Sequence, residues 1–448
     1  MKLTYIASIT ISALLVTASG CEKFVDTPIP GNSIVPDQVF TNDATAVSAL
    51  LGAYQAIQNI SGDMSMHTDL FGDDIFRPGA GGLIQEAQEN TYTESSNFQF
   101  FNNYYKAIFL ANSLLEGVET HNTISAATAR QIKGESKFLR AFCHFILANL
   151  YGNPPLITTT TVSISAYAGN ASRETLYAAI VSDLKDAYEL IDADYPSADR
   201  ARANKATVSA LLAKVYLYRK EWKLAETEAT RQITNPAYAI PDDLNTVFQK
   251  DSPETIWQLW SQYNYTAQGQ SYVASDPNRV IYTLREGLMN AFEPGDKRKA
   301  AWTREGSGNS IGLFYPYKYT QTTSSGGATE YLVQFRLAEQ YLIRAEARAH
   351  LNDVDGAMED INELRGRTGL GDASAGNMAD ALLKIEQERR VELMVENGSR
   401  WFDLNRTGRT TYWLQPQKPT WQPRDTVLPY ATTLLLANPN LKQHEGYK

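Results

Sequence analysis

A mostly α-helical body interrupted by a long, loop-rich, aromatic insertion is what this 448-residue sequence predicts. Three observations carry that expectation. Apolar residues recur at helical spacing through much of the chain. Two segments 132 residues apart each read as a pair of helices joined by a tight turn. Between them, prolines, glycines and rings replace any sustained period. With 43% apolar residues the chain can bury a large core. The formal net charge is −9 and the basic residues are scattered, so the footprint of a nucleic-acid binder is missing.

At the N-terminus, Lys2 precedes an apolar stretch from Leu3 to Val16 that is too short to span a membrane, and Ala18, Ser19 and Gly20 lead into Cys21. Residues 1–20 therefore read as a lipoprotein signal peptide and Cys21 as the lipidation site. A diacylglycerol on the thiol and an acyl chain on the new amino group would together anchor stably where one chain would not. Ala18 stands where Leu is more usual, so an ordinary cleaved secretory signal is the alternative. Residues 21–40, with three prolines and one glycine after Cys21, suit a tether, and 41–448 is expected to form one domain. Cys143 is the only other cysteine; with no internal disulfide open to it, it reads as a small apolar group on a helix.

Helical spacing runs from Asn42 to Ile57 and from Asn97 to Glu119. It is clearest at Leu139, Phe142, Cys143, Ile146, Leu147 and Leu150, and Tyr151-Gly-Asn-Pro-Pro155 ends that helix because Pro cannot continue one. The first hairpin lies near 204–234, where Val208, Leu211, Leu212, Val215 and Tyr216 form a stripe and Ala213 is followed twelve residues later by Ala225. The second lies near 336–367, with Ala345 and Ala357 at the same separation across Asn352-Asp353. Small residues twelve apart are where a tetratricopeptide (TPR) hairpin lets its two helices touch.

The insertion, about 235–335, carries Pro236, Pro241, Pro253, Pro277, Pro294 and Pro316. From Ile256 to Tyr319 it holds 12 aromatic residues in 64, or 19%, against 11% for the whole chain. Rings this dense on loops either pack the insertion down or offer faces for sugar rings and apolar side chains.

The densest charge is "ERRVELMVENGSRWFDLNRTG", Glu388 to Gly408. Four-residue spacing places Glu388, Glu392 and Glu396 on one helical face with Asp403 beyond, and paired carboxylates are what acid/base hydrolases use. However, Glu386–Arg390 and Glu396–Arg400 are one turn apart and Glu392 follows Arg389 by three, so local ion pairing accounts for the charge, with a helix stop at Asn397-Gly398. Gly308-Asn-Ser310-Ile-Gly312 has a nucleophile-elbow spelling without the strand-turn-helix context. His67, His121, His144, His350 and His444 show no metal-ligand spacing, and no cofactor motif is present. "FGDDIFRPG" offers Asp73, Asp74 and Arg77, too few acids for a metal but suited to sugar hydroxyls or to holding their own turn.

The lipoprotein start, "KFLRAFCHFILANLYGNPPL", "LAEQYLIRAEARAHL", "INELRGRTGL", the Glu388–Gly408 stretch and the tail "NPNLKQHEGY" together resemble the SusD/RagB family of outer-membrane nutrient-binding lipoproteins. The resemblance spans nearly the whole chain in order. It implies a SusD-like helical body with TPR-type units, held at the cell surface of a Gram-negative bacterium by its lipid. It further implies a protein that performs no chemistry and hands captured glycan to a SusC-like TonB-dependent transporter. Family ligand contacts come from the segment after the first helix, the start of the next helix, and the insertion. In this chain those regions hold Asp73, Asp74 and Arg77; Phe101 and Tyr104; and Trp260, Tyr263, Tyr272 and Trp302. A peptide binder of the RagB kind would use the same architecture. A secreted hydrolase would need a matched acid and base, for which Asp73 and Asp74 are the one loop pair.

Overall fold

The computed structural model describes residues 39–447. The expected signal peptide, the lipidation site Cys21 and all but the last two residues of the tether lie outside them. Among the described residues 17 helices dominate and strands are few and short. Eleven helices build the body: α1 (Asp43–Phe71), α2 (Gly82–Glu89), α3 (Phe100–Thr120), α4 (Ala126–Tyr151), α5 (Arg173–Leu190), α6 (Lys205–Tyr218), α7 (Trp222–Ile233), α8 (Leu337–His350), α9 (Val354–Thr368), α10 (Met378–Glu392) and α11 (Ser399–Thr407). From α3 to α9 each of these helices packs on the next, and α1 lies against α3 and α4.

The start signals act as capping chemistry predicts. Asn42 caps α1 by accepting from Thr45 N at 3.1 Å, and Asn204 with Thr207 closes a capping box on α6. Helix α1 runs fourteen residues past the expected end at Ile57. Its second half hid its period because Ser61, Ser65, Thr68 and Asp69 are buried there; Ser61 and Thr68 return their hydroxyls to the carbonyls of Ile57 and Met64. Its C-terminal carbonyls are met by Lys418, whose ammonium donates to Leu70 O at 2.6 Å and Phe71 O at 2.9 Å. Burial pulls that lysine down to about 7.

Both expected hairpins form, α6–α7 and α8–α9, with Ala213, Ala225, Ala345 and Ala357 fully buried. The units that are 132 residues apart in sequence stack directly, α7 on α8. Lys214 reaches Glu339 at 2.8 Å, and Trp222 stacks on His350 with ring centres 3.9 Å apart. Cys143 is buried among apolar neighbours, and burial raises its thiol well above the ordinary range.

The insertion is drawn in at its neck and anchored by charge. Strands β2 (Thr255–Leu259) and β6 (Leu332–Arg336) pair antiparallel and are buried on both faces. Two smaller ribbons, β1 (Ile75–Phe76) with β3 (Thr283–Leu284) and β4 (Thr303–Glu305) with β5 (Phe314–Pro316), complete the strand content. Trp257 sits in the neck, edge-on to Phe138 at 5.0 Å and Phe142 at 5.1 Å.

The Glu388–Gly408 stretch is structural, by a different pairing from the expected one. Neither i,i+4 pair nor the Arg389–Glu392 pair forms. Glu392 receives Arg298 at 2.9 Å, Arg336 at 2.7 Å and Arg367 at 2.6 Å. Glu396 takes Arg336 and Lys318, and Asp403 takes Arg389 and Arg406. Long side chains buried by tertiary packing meet across elements, where the local rule does not reach. The helix also stops earlier than Asn397-Gly398. Helix α10 ends at Glu392, whose carbonyl accepts from Lys318 Nζ and Arg336 Nη2, both at 2.7 Å. Gly398 instead opens α11 at φ +71°, where a Cβ would lie 2.5 Å from Thr68 Oγ1.

Two measurements check these assignments. Burial alone would raise the Asp403 carboxyl, but Arg389 and Arg406 outweigh it and hold it at about 2. Because the folded value is depressed, the stabilisation is full above about pH 4 and is lost as pH falls through about 2; its size is about 2 kcal/mol. The urea-stability gap between wild type and Asp403→Asn should therefore narrow by that amount across this window, and a gap independent of pH would contradict the assignment. Ala345→Leu should overpack the hairpin contact and lower stability by roughly 1–3 kcal/mol. An unchanged urea midpoint would show that the helices do not touch there.

Candidate functional site

Helix α1 is the rail along which the insertion lies. At 1.5 Å per residue its 29 residues span about 43 Å. The insertion follows it in order: Ala267 abuts Gly62, the Tyr272 hydroxyl donates to Asp69 Oδ2 at 3.1 Å, and Arg285 pairs with Asp73 at 3.1 Å. Before Ala267, the chain leaving β2 presents Trp260 beside the N-terminal half of α1.

There a groove of about 420 Å3 opens between α1, the α5–α6 loop and the end of β2. Helix α1 contributes Leu51, Tyr54, Gln55 and Gln58; the loop contributes Ser197, Asp199, Ala201 and Arg202; Leu259 and Trp260 close the third side. Trp260 is 47% exposed and lies near the Tyr331 side chain, so its ring is available to a ligand. In the same loop Tyr263, 53% exposed, stacks on Tyr265 with ring centres 5.7 Å apart. The loop keeps its shape because Ser261 Oγ donates to Tyr265 O at 2.7 Å.

The polar side of the groove divides into fixed and available groups. Arg202 is spent on Glu135, with Nε at 3.1 Å and Nη2 at 2.5 Å, and Tyr54 donates to the same carboxylate at 2.6 Å. Asp199 Oδ1 accepts from Ala201 N at 3.2 Å. Ser197 Oγ is buried without a hydrogen-bond partner. A flat ring opposite amides, a carboxylate and a hydroxyl suits a ligand with one apolar face and a polar edge.

The nine contact residues expected from the sequence are distributed very differently. Trp260 lines the groove and Tyr263 lies exposed on the loop that follows it. Asp74, Tyr104, Tyr272 and Trp302 are buried and have no face for a ligand, which corrects the expectation. Trp302 packs on Phe248 and donates its indole N–H to Leu244 O at 3.1 Å, and Tyr272 is tied to Asp69. Burial raises the Asp74 carboxyl against the pull of Arg390 and Arg400. Asp73 is buried and committed to Arg285, so the loop pair offers no acid and base to solvent. Arg77 lies over the Tyr282 ring at 5.6 Å, and half-buried Phe101 packs on Tyr105, Tyr151 and Tyr430. Sequence reasoning missed Gln55, Gln58, Ser197 and Asp199; the charge-rich segment between α5 and α6 was the available signal.

The remaining chemistry-like motifs are also resolved. Ser310 sits in a tight turn, accepting from Val280 N and donating to Asn278 O, with no histidine beside it. Burial lowers His144 to about 4, so it is neutral and accepts from Ile157 N. Among the described residues no group of three or more His, Cys, Asp or Glu side chains is placed to hold a metal ion.

Comparison with known proteins follows the same geometry. A family model described as the SusD family matches residues 203–426, and one described as starch-binding associating with outer membrane matches 34–217. SusD-like protein P2 of Formosa agariphila is 27% identical, aligned over 98% of this chain and 99% of its own. A SusD superfamily protein of Bacteroides vulgatus superposes with a TM-score of 0.82 at 20% identity, covering 90% of this chain and 99% of its own. A laminarin-binding SusD-like protein gives 0.79 at 22% identity, with 91% and 100% covered. Surface glycan-binding protein A of Bacteroides uniformis gives 0.78 at 18% identity, with 91% and 100% covered. The family-model match over residues 203–426, half of the chain, shows that this protein belongs to the SusD family.

Proposed function

We propose that this protein is a cell-surface lipoprotein that captures a glycan in the groove between α1 and Trp260, without altering it, for delivery to a SusC-like TonB-dependent transporter of the outer membrane. The observation that carries the reading is Trp260: a half-exposed indole lines a groove that also carries polar side chains. An indole face takes the C–H face of a pyranose, while Gln55, Gln58 and Asp199 take its hydroxyls. The relatives named for laminarin and surface-glycan binding support a sugar over a peptide. The family model described by association with the outer membrane supports the anchoring that Cys21 would supply.

The full chain should be retained in affinity gels by one class of polysaccharide from a panel that includes laminarin, with no fragments released. Trp260→Ala should weaken retention roughly tenfold, the size of a lost aromatic stack, whereas Tyr412→Ala, exposed on another face, should not. Retention by peptides alone would move the function to the RagB side of the family. Released oligosaccharides would make the protein an enzyme, and unchanged retention in Trp260→Ala would move the site out of this groove.

A further inference from the structure

A second cavity, of about 510 Å3, opens between the α6–α7 turn, the end of α8, and helices α10 and α11, and it shares no residue with the Trp260 groove. One side is aliphatic, with Leu217, Leu382, Leu383, Leu393 and Leu404. The other is cationic. Arg400 and Arg409 share one carboxylate, Glu386, with Arg409 Nε 2.6 Å and Arg400 Nη1 3.8 Å from it, while Arg390, on the same wall, forms no ion pair among the described residues. The other acids lining the cavity are engaged, Asp403 by Arg389 and Arg406, and Glu346 by both ends of Arg406. The remaining compensation comes from Asp74, buried behind Arg390 and Arg400.

Several guanidinium nitrogens are thus left without acceptors. Arg389 Nη1, Arg390 Nε and Arg400 Nε are buried without a hydrogen-bond acceptor, and only the Trp413 ring face, 5.5 Å from the Arg390 guanidinium and 5.1 Å from that of Arg400, lies over the last two. Burial, and to a lesser extent the neighbouring Arg390, pull the Arg400 guanidinium down to about 10. In a chain of net charge −9, this cavity is lined by six cationic side chains, Lys220, Arg389, Arg390, Arg400, Arg406 and Arg409, against three carboxylates, Glu346, Glu386 and Asp403. We propose that the cavity is a binding site for an organic anion consisting of one carboxylate on an apolar body. The carboxylate lies between Arg390 and Arg400, whose planar forks accept it in bidentate fashion, and the leucine wall takes the body. A mostly apolar concavity of this volume with a few convergent polar groups has the form of small-ligand sites.

The test is isothermal titration of the full chain with octanoate and with N-acetyl-leucine, using octanamide as the uncharged control. At least one carboxylate should bind saturably and octanamide roughly tenfold or more weaker; Arg390→Gln and Leu383→Asp should each weaken the carboxylate by roughly tenfold or more. Preference for octanoate identifies an acyl ligand and preference for N-acetyl-leucine an amino-acid one. Leu383 is 56% exposed, and the urea midpoint and far-UV circular dichroism serve as the check that both variants fold. The proposal is overturned if neither carboxylate binds up to about 10 mM, if octanamide binds as tightly, or if Arg390→Gln behaves as wild type.

Discussion

Glu392 is the keystone of this fold. One fully buried carboxylate receives three arginines, from the insertion (Arg298), from the strand that re-enters the helical body (Arg336) and from the second hairpin (Arg367). Its backbone carbonyl, left over at the end of α10, is taken by Lys318 and Arg336. Glu254 at the start of the insertion joins through Arg336 and Arg367. Four segments far apart in sequence are thereby forced into one register. Such a cluster contributes little over a well-packed apolar core, but losing one member strands several charges in low dielectric. That asymmetry makes it a device for specifying arrangement.

The charge cluster also explains which parts of the fold were legible in the sequence. Hairpins, caps and helix stops are local, so the alanine pairs twelve apart and the Tyr151-Gly152 end could be read from spacing. The partners of Glu388, Glu392 and Glu396 could not, because Arg298, Arg336 and Arg367 lie 25 to 94 residues from the acid they meet. The i,i+4 rule offered nearer partners that the folded chain does not use. The second half of α1 was hidden for the opposite reason: its buried face is polar, so the period carried by apolar residues disappears where the helix meets the insertion.

Legibility of the site follows the same division. Aromatic density correctly marked the insertion, but density does not say which ring faces water. Trp257 and Trp260 are three residues apart; one fills the neck among Phe138, Phe142 and Phe335, and the other stands half-exposed beyond the strand end. Trp302 and Tyr272 serve the packing of the insertion onto the body. The polar half of the groove comes from α1 and from the loop before α6, segments brought together by the stacking of helices that the sequence shows only one at a time.

The stacking of α7 on α8 across the insertion has a consequence for how the chain reaches this state. Each hairpin closes locally, but the interface between them joins segments separated by 103 residues, and loop closure on that scale costs on the order of 4 kcal/mol before any contact repays it. The β2–β6 ribbon lowers that barrier by pinching the insertion at its base. The N-terminal helices therefore assemble with one flank of α7 uncovered, and folding completes only when the ribbon zips and the later hairpin docks. Non-local contacts of this kind slow folding, and the flank of α7 is open to aggregation until the later hairpin covers it.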